Sequence, residues 1–340
     1  VVESAVDAGA ATSGGIQDDS PFRSPFWMRG PHLQTIVPAL FAPRARVTYR
    51  RERWDTPDGD FIDVARPVDA MAERGTRPLV VVFHGLEGDA EARYVRDVLG
   101  GALARGWRGI APQFRGCGGT LNDLPRFYHS GDSAEIDWVL RRIAAEREDH
   151  GPLFVVGVSL GGNMLLKWLG EQGAAAPALV SAAAAISAPI DLAAGGHRLG
   201  VGFNRVYSWM FLRTLKAKSL AKLERHAGLY DPARVKAARS LHMFDDVVTA
   251  PLHGFRDAED YWARSSSKPW LRHIAVPTLI LNARNDPFLP SDALPRRDEV
   301  SSVVTLDFPE GGGHVGFVHA GRGGSGWMQR RVLGYLERHA

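Results

Sequence analysis

Among 340 residues there is a single cysteine, Cys117. No internal disulfide can form, so stability must come from a buried core, and a reducing, cytoplasmic location is expected. Long hydrophobic runs are missing as well. The longest candidate, ALVSAAAAISAPI from Ala178, is short and broken by serines, which excludes an integral membrane segment. Charge of one sign is scarce: 41 basic residues face 38 acidic ones, a net of +3. The pI of 9.1 therefore reflects a small excess rather than a basic stripe, and nucleic acid is not an expected partner. No internal repeat is visible. No cluster of His, Cys and carboxylates has metal-ligand spacing, and the Gly-rich turns lack the lysine of a phosphate loop, so neither metal nor cofactor is expected. The first twenty residues, VVESAVDAGAATSGGIQDDS, lack the basic start and apolar block of a signal peptide. Residues 1–24 are expected to be a disordered or extended segment, with one domain over 25–340.

Apolar residues make up 45% of the chain, enough for a sizeable core. RVTYRRERWDTPDGDFIDVARPV, from Arg46, predicts two strands around a Pro-Asp-Gly turn. LVVVF (Leu79–Phe83) is a β-branched run without alternation, as a strand buried on both faces should be. A helical stretch from Tyr94 to Ala104 and the strand WRGIAPQF follow. Asp132 and Glu135 have capping-box spacing before Ile136, Val139, Leu140 and Ile143. PLFVVGV, LGGNMLLKWLGEQG and LVSAAAAIS then predict strand, helix and strand, with Gly170 or Gly173 stopping the helix. This alternation points to a mostly parallel sheet of about eight strands with helices on both faces. It pauses from about 191 to 265, where the sequence is helical, basic and aromatic, and resumes at VPTLILNARNDPF, VVTLDFPEGGGH and a helix from Trp327 to His339. Residues 191–265 thus predict a helical cap inserted over the strand C-termini, where such sheets bind ligands.

Four segments carry chemistry. Gly157-Val158-Ser159-Leu160-Gly161 fits G-x-S-x-G between a buried strand and a helix. A turn that sharp leaves no room for a Cβ on either side and lifts the serine as a nucleophile; a plain turn with Ser159 as helix cap is the other reading. A serine needs a base. His314, after a strand and three glycines, is the candidate, with His319 as competitor. An acid between them in sequence would orient that base, and Asp286 at a strand end fits, with Asp292 and Asp307 as rivals. After LVVVF, the turn HGLEG places the Leu86 N–H to pair with the Leu160 N–H around a developing oxyanion. His84 in that turn reads as structural.

With these residues in place, the sequence resembles the α/β-hydrolase superfamily and, within it, the YheT-type hydrolases. The resemblance runs from about Pro25 to the C-terminus. It rests on GPHLQTIVPAL, HGLEG, FRGCGG, YHSGD, GVSLGGN, FDDVVTAPLHGF, NARNDPF and GGHVGF in that order. It implies an α/β-hydrolase fold and a serine hydrolase acting on carboxylic esters, with Ser159, Asp286 and His314 as triad. Family members include medium-chain ester hydrolases, alcohol acyltransferases and relatives acting on lipids. One departure is the Arg284-Asn285 pair, where a more acidic run is expected before Asp286.

The expectation is an esterase for short- to medium-chain acyl esters, working through an acyl-enzyme on Ser159. An acyltransferase using the same triad is the alternative, and a non-catalytic binding protein that kept the fold is the rival from another class. His32 and Gln34 read as packing or hydrogen-bonding residues, Arg115 and Cys117 as structural, and His129 and Ser130 as loop or capping residues. In the cap, Phe203, Val206, Tyr207, Met210 and Phe211 fall at helical spacing among Arg205, Arg213, Lys216, Lys218 and Lys222. That pattern reads as a cap helix packed on the core with a solvated basic side; the sharper reading is a lid whose apolar face lines an acyl pocket, with peripheral membrane contact by its cations as the further alternative.

Overall fold

The turn at Pro57–Gly59 joins β1 (Tyr49–Asp55) to β2 (Phe61–Pro67) in antiparallel register, Tyr49 opposite Pro67. This arrangement comes from a computed structural model, which describes residues 21–68, 76–147, 151–321 and 324–340. Residues 1–20 lie outside the described residues, and with them most of the segment expected to be disordered or extended. The remaining strands are β3 (Leu79–Phe83), β4 (Arg108–Pro112), β5 (Leu153–Val158), β6 (Ala182–Ile186), β7 (Thr278–Leu281) and β8 (Val304–Asp307). Together they form one sheet of eight strands in the order β1-β2-β4-β3-β5-β6-β7-β8. β2 pairs antiparallel to β4; from β4 to β8 every pairing is parallel.

Every residue of β3, β5 and β6 is buried, which explains why these runs lack alternation. Leu79, Val81 and Phe83 join one core with α3 (Ser133–Glu146) and α4 (Leu160–Gln172). Val80 and Val82, on the opposite face, join a second core with α2 (Arg93–Leu103) and the C-terminal helix Trp327–Glu337. Gly173, at φ 50°, ends α4, whereas Gly170 lies inside the helix against Trp270.

The capping box at α3 does not form. Asp132 makes no side-chain bond to the helix N-terminus. Its carboxylate pairs with Arg126, and Glu135 pairs with Arg115 at 2.6 Å. Pairing with two arginines, where both partners are charged, takes the place of the carboxylate-to-backbone bonds of a capping box.

Before β1 stands α1 (Pro31–Phe41), with proline at its start. Between β6 and β7 the inserted cap consists of α5 (Leu192–Leu199), α6 (Arg205–Arg225), α7 (Pro232–Ala237), α8 (Leu241–Phe244), α9 (Ala250–Leu252) and α10 (Ala258–Ser265). A π-turn at Asp245–Thr249 joins α8 to α9. The C-terminal helix is α11 (Trp327–Glu337).

The apolar stripe expected to line the pocket from α6 is divided. Tyr207 is buried and Phe211 half-buried, but Phe203, Val206 and Met210 are exposed. The cations divide too. Lys222 is fully buried, donating to Asn122 O at 2.6 Å, Asn122 Oδ1 at 3.0 Å and Leu124 O at 2.7 Å. It fastens the middle of the cap to the loop before α3. Replacing Lys222 with Met keeps the stem and strands these buried acceptors, so stability should fall by about 2–4 kcal/mol in urea denaturation. An unchanged midpoint would show that the cap is held elsewhere.

Candidate active site

Ser159 sits between β5 and α4 with φ 52° and ψ −120°, a conformation that costs about 1–3 kcal/mol for a residue with a side chain. The flanking glycines explain how the turn closes. A Cβ on Gly157 would lie 2.5 Å from Gly161 O, and one on Gly161 would lie 2.5 Å from His84 O. The backbones are in contact there, so the serine is raised above the sheet. Ser159 makes no side-chain cap bond to α4, which removes the plain-cap reading.

The structure brings the three sequence candidates together. His314 Nε2 lies 3.0 Å from Ser159 Oγ. His314 Nδ1 lies 2.9 Å from Asp286 Oδ2 and 3.2 Å from Oδ1. A carboxylate only accepts, so Nδ1 carries the hydrogen and Nε2 presents its lone pair to the serine hydroxyl. The Asp286 side chain is 1% exposed, and its Oδ1 also accepts the Phe288 N–H at 2.8 Å. The Phe288 ring stacks on the imidazole, centroids 3.9 Å apart. The rivals are engaged elsewhere. His319 Nδ1 accepts the Arg23 N–H, Asp307 pairs with Arg331, and Asp292 is exposed.

The two backbone donors are set differently from their neighbours. Gly85 N–H donates to Tyr94 Oη at 2.9 Å and Glu87 N–H to Tyr128 Oη at 2.8 Å. The Leu86 N–H between them has no hydrogen-bond partner among the described residues. Leu160, as first residue of α4, leaves its N–H free as helix starts do. His84 holds the turn in shape: Nδ1 donates to Gly85 O at 2.8 Å and Nε2 accepts the Phe114 N–H at 3.1 Å. Burial pushes its pKa down to about 4, so the ring is neutral and structural.

Gln34 is a hydrogen-bonding residue as expected, but its partners, and the roles of Thr35, Asn285 and Glu87, escape a sequence reading. Gln34 of α1 accepts the Gly312 N–H at 2.7 Å and an Asn285 amide hydrogen at 2.9 Å through Oε1. Thr35 Oγ1 accepts the His314 N–H at 2.9 Å, and Asn285 Oδ1 accepts the Gly313 N–H at 3.0 Å. The N-terminal arm and the departure at Asn285 thus brace the loop that carries His314. A Cβ on Gly316 would land on the Gln34 carbonyl, so the glycines around His314 also make room for α1. Glu87, at φ 56°, pairs with Lys218 of α6 at 2.9 Å and accepts from Tyr128 Oη at 3.1 Å, tying the cap to the residue beside Leu86. No local pattern marks these partners, since they are far apart in sequence.

Above Ser159 and beneath the cap lies a cavity of about 130 Å³. Leu86, Leu199, Phe211, Leu241, Trp262 and Phe288 give it a mainly apolar wall. His129 and Ser130 lie on that wall rather than merely in a loop. Burial pushes the His129 pKa down to about 3. Burial also lifts the Cys117 thiol to about 12, so it is no nucleophile at neutral pH. Among the described residues no group of three His, Cys, Asp or Glu side chains is placed to share a metal ion.

Comparison with known proteins places this geometry in context. Residues 78–321 match the family described as alpha/beta hydrolase fold. The chain is 39% identical to the "Putative esterase YheT" of Escherichia coli (strain K12), over 90% of this chain and 89% of that protein. It is 28% identical to the Phospholipase ABHD3 of Homo sapiens, over 92% of this chain and 78% of that protein. Among solved structures, the Pyrococcus furiosus esterase Pf2001 shares the fold at a TM-score of 0.56 and 16% identity, over 87% of this chain and 98% of that one.

The neutral His84 makes stability depend on pH. Its pKa is about 4 folded against 6.5 unfolded, so between these values the unfolded chain binds the extra proton. The folded state keeps its full advantage above pH 6.5 and loses up to about 3 kcal/mol from this group as pH falls through 4. His84→Gln, which retains one donor and one acceptor, should make urea stability curves less steep over that window, the slope due to the buried His129 remaining. A wild-type curve that is flat there, or an equally steep variant, would contradict a neutral buried ring.

Proposed function

This chain belongs to the α/β-hydrolase superfamily, within the YheT-like esterase family, and from that premise we propose that it hydrolyses short- to medium-chain acyl esters through an acyl-enzyme on Ser159. The observation that carries the reading is the line of hydrogen bonds from Ser159 Oγ through His314 to Asp286 at the floor of an apolar cavity. Ser159 Oγ attacks the ester carbonyl while His314 Nε2 takes its proton. The N–H groups of Leu86 and Leu160 receive the oxyanion. Asp286 holds the ring in the tautomer that accepts a proton at Nε2 and stabilises the imidazolium that forms. As the tetrahedral intermediate collapses, the carbonyl re-forms, the C–O bond to the alcohol breaks, and His314 returns its proton to the departing oxygen. Water then attacks the acyl-enzyme with His314 as base. The acid leaves, and the proton goes back to Ser159.

Neither metal nor cofactor enters these steps. The cavity volume favours the short end of that range: roughly 150 Å³ of apolar space accommodates a benzene-sized molecule of six carbons. An alcohol in place of water would turn the second half into acyl transfer by the same residues. The single cysteine accords with the cytoplasmic location we propose.

Three experiments test this reading. Ser159→Ala should lower hydrolysis of p-nitrophenyl esters by about 10³-fold or more and abolish labelling by a fluorophosphonate. Equal rates in variant and wild type at every acyl length would remove the esterase. Products formed with added ethanol separate transfer from hydrolysis. Gln34→Ala, which frees the His314 loop, should lower kcat by about 10²-fold with little change in KM. A change confined to KM would assign Gln34 to substrate binding instead.

A further inference from the structure

Helix α1 is inside out. Its buried residues are Gln34, Thr35 and Pro38, while Leu33, Leu40 and Phe41 are 50–77% exposed. Leu33, Val37, Leu40 and Phe41 stand at i, i+4, i+7 and i+8, one stripe of the helix. Phe26 and Trp27 just before it are exposed as well. The start of the cap repeats the pattern: Val201, Phe203, Val206, Trp209 and Met210 are all exposed. Thirteen large apolar side chains are exposed among the described residues, and ten fall in these two short segments.

The segments adjoin. The His32 ring of α1 lies 4.4 Å from the Phe203 ring, and His32 Nδ1 meets Tyr207 Oη at 3.1 Å. The start of α1 thus touches the start of the cap, with exposed apolar residues on both sides of that contact. Scattered exposed apolar residues need no explanation, but a concentration of this kind marks an interaction surface.

Charge selects the partner. Residues 20–51 and 192–223 contain no Asp or Glu. Lys218 and Lys222 turn inward, but Arg205, Arg213, Lys216 and Arg239 line one groove with Val206 and Trp209, and Arg213 lies over the Trp209 ring. Aromatic side chains ringed by cations, with no acid between them, match the boundary of an anionic lipid layer: rings at head-group depth, guanidinium groups on phosphates.

We propose that the outer face of α1 and the start of α6 form a single docking surface for an anionic phospholipid bilayer. The expectation of membrane contact by the cap cations alone is thereby extended, because half of these exposed apolar side chains belong to α1 and the residues just before it. Its meaning for substrate supply rests on the esterase reading: Tyr207 and Phe211 connect the patch to Phe288, which covers His314. An ester dissolved in the lipid layer lies next to the cavity when this face is seated.

The test is flotation with vesicles of phosphatidylglycerol and phosphatidylcholine in equal parts, against pure phosphatidylcholine. Wild type should float with the anionic vesicles and lose binding as salt rises. The Leu40→Ser/Phe41→Ser/Trp209→Ser variant should bind about ten-fold more weakly or worse, and Arg205→Gln/Arg213→Gln/Arg239→Gln should lose the preference for anionic lipid. Turnover of soluble p-nitrophenyl acetate should stay unchanged in both. Wild type that fails to float at millimolar lipid, or an apolar variant that floats equally well, overturns the proposal. A wild-type dimer that the apolar variant dissolves, without vesicle binding, assigns the face to a second copy. Binding that appears only after removal of residues 1–20 assigns it to that segment. Both outcomes overturn the proposal. Absence of soluble-ester turnover in wild type would strike the esterase reading and leave this one standing.

Discussion

The loop that carries His314 is held against its own backbone preference. Val315 and Phe317 sit at φ 60° and 42°, on the side of conformational space that side chains avoid, and Val315 is β-branched besides. Such a segment persists where its surroundings over-determine it. Gln34 and Thr35 accept three hydrogens from this loop and its neighbour, and Ser187 Oγ accepts the Val315 N–H at 3.1 Å. Each bond is modest, but together they fix a backbone whose relaxed form would swing the imidazole away from Ser159. The distance of 3.0 Å between Nε2 and Oγ thus depends on a helix that contributes no group to the proposed reaction.

Strain at the other end of that bond is handled differently. The turn at Ser159 is closed by the absence of side chains at Gly157 and Gly161 and by Asn163. Asn163 Nδ2 donates to Ser130 O and Ser265 O, and its Oδ1 accepts the Ser267 N–H. At Ser159 close packing of the glycines adds to the long-range bonds of Asn163, whereas His314 depends on long-range hydrogen bonding to α1. A mainly parallel sheet supplies the frame for both, since its strand ends lie side by side and need only short loops to converge.

This division explains what a reader of the sequence can see. Strand runs, the G-x-S-x-G turn and the order Ser159, Asp286, His314 are local signals, set by packing within a few residues, and they stand out. The bracing of His314 joins residues 251 to 279 positions apart, so it leaves no periodicity or spacing to detect. Gln34 and Asn285 stand out in the sequence, one as a hydrogen-bonding residue and one as a departure, but which groups they meet emerges only when the chain is folded. The failure at Asp132 and Glu135 has the same origin: Arg115 lies twenty positions from Glu135, and its guanidinium also meets Asp60 at 2.9 Å. A capping box is a local device, and a buried ion network displaced it. The cap helix misleads for a related reason. Its apolar positions repeat at helical spacing, but periodicity alone does not say which of them face inward.

Helix α1 carries both halves of this argument. Burying Gln34 and Thr35 costs desolvation, which their bonds to the His314 loop offset. Once those two residues must point inward, the helical period forces Leu33, Leu40 and Phe41 outward. Exposing apolar side chains has its own cost in water, and a polar replacement at those positions would not disturb the inward bonds. The brace therefore explains the buried side of the helix but not the composition of its outer side, which calls for a separate cause. A lipid surface supplies one. It removes the exposed stripe from water and meets the acid-free cationic border with phosphate. The helix that holds His314 from behind would then be the same element that seats the protein on lipid, with the His32–Tyr207 contact linking it to the cap.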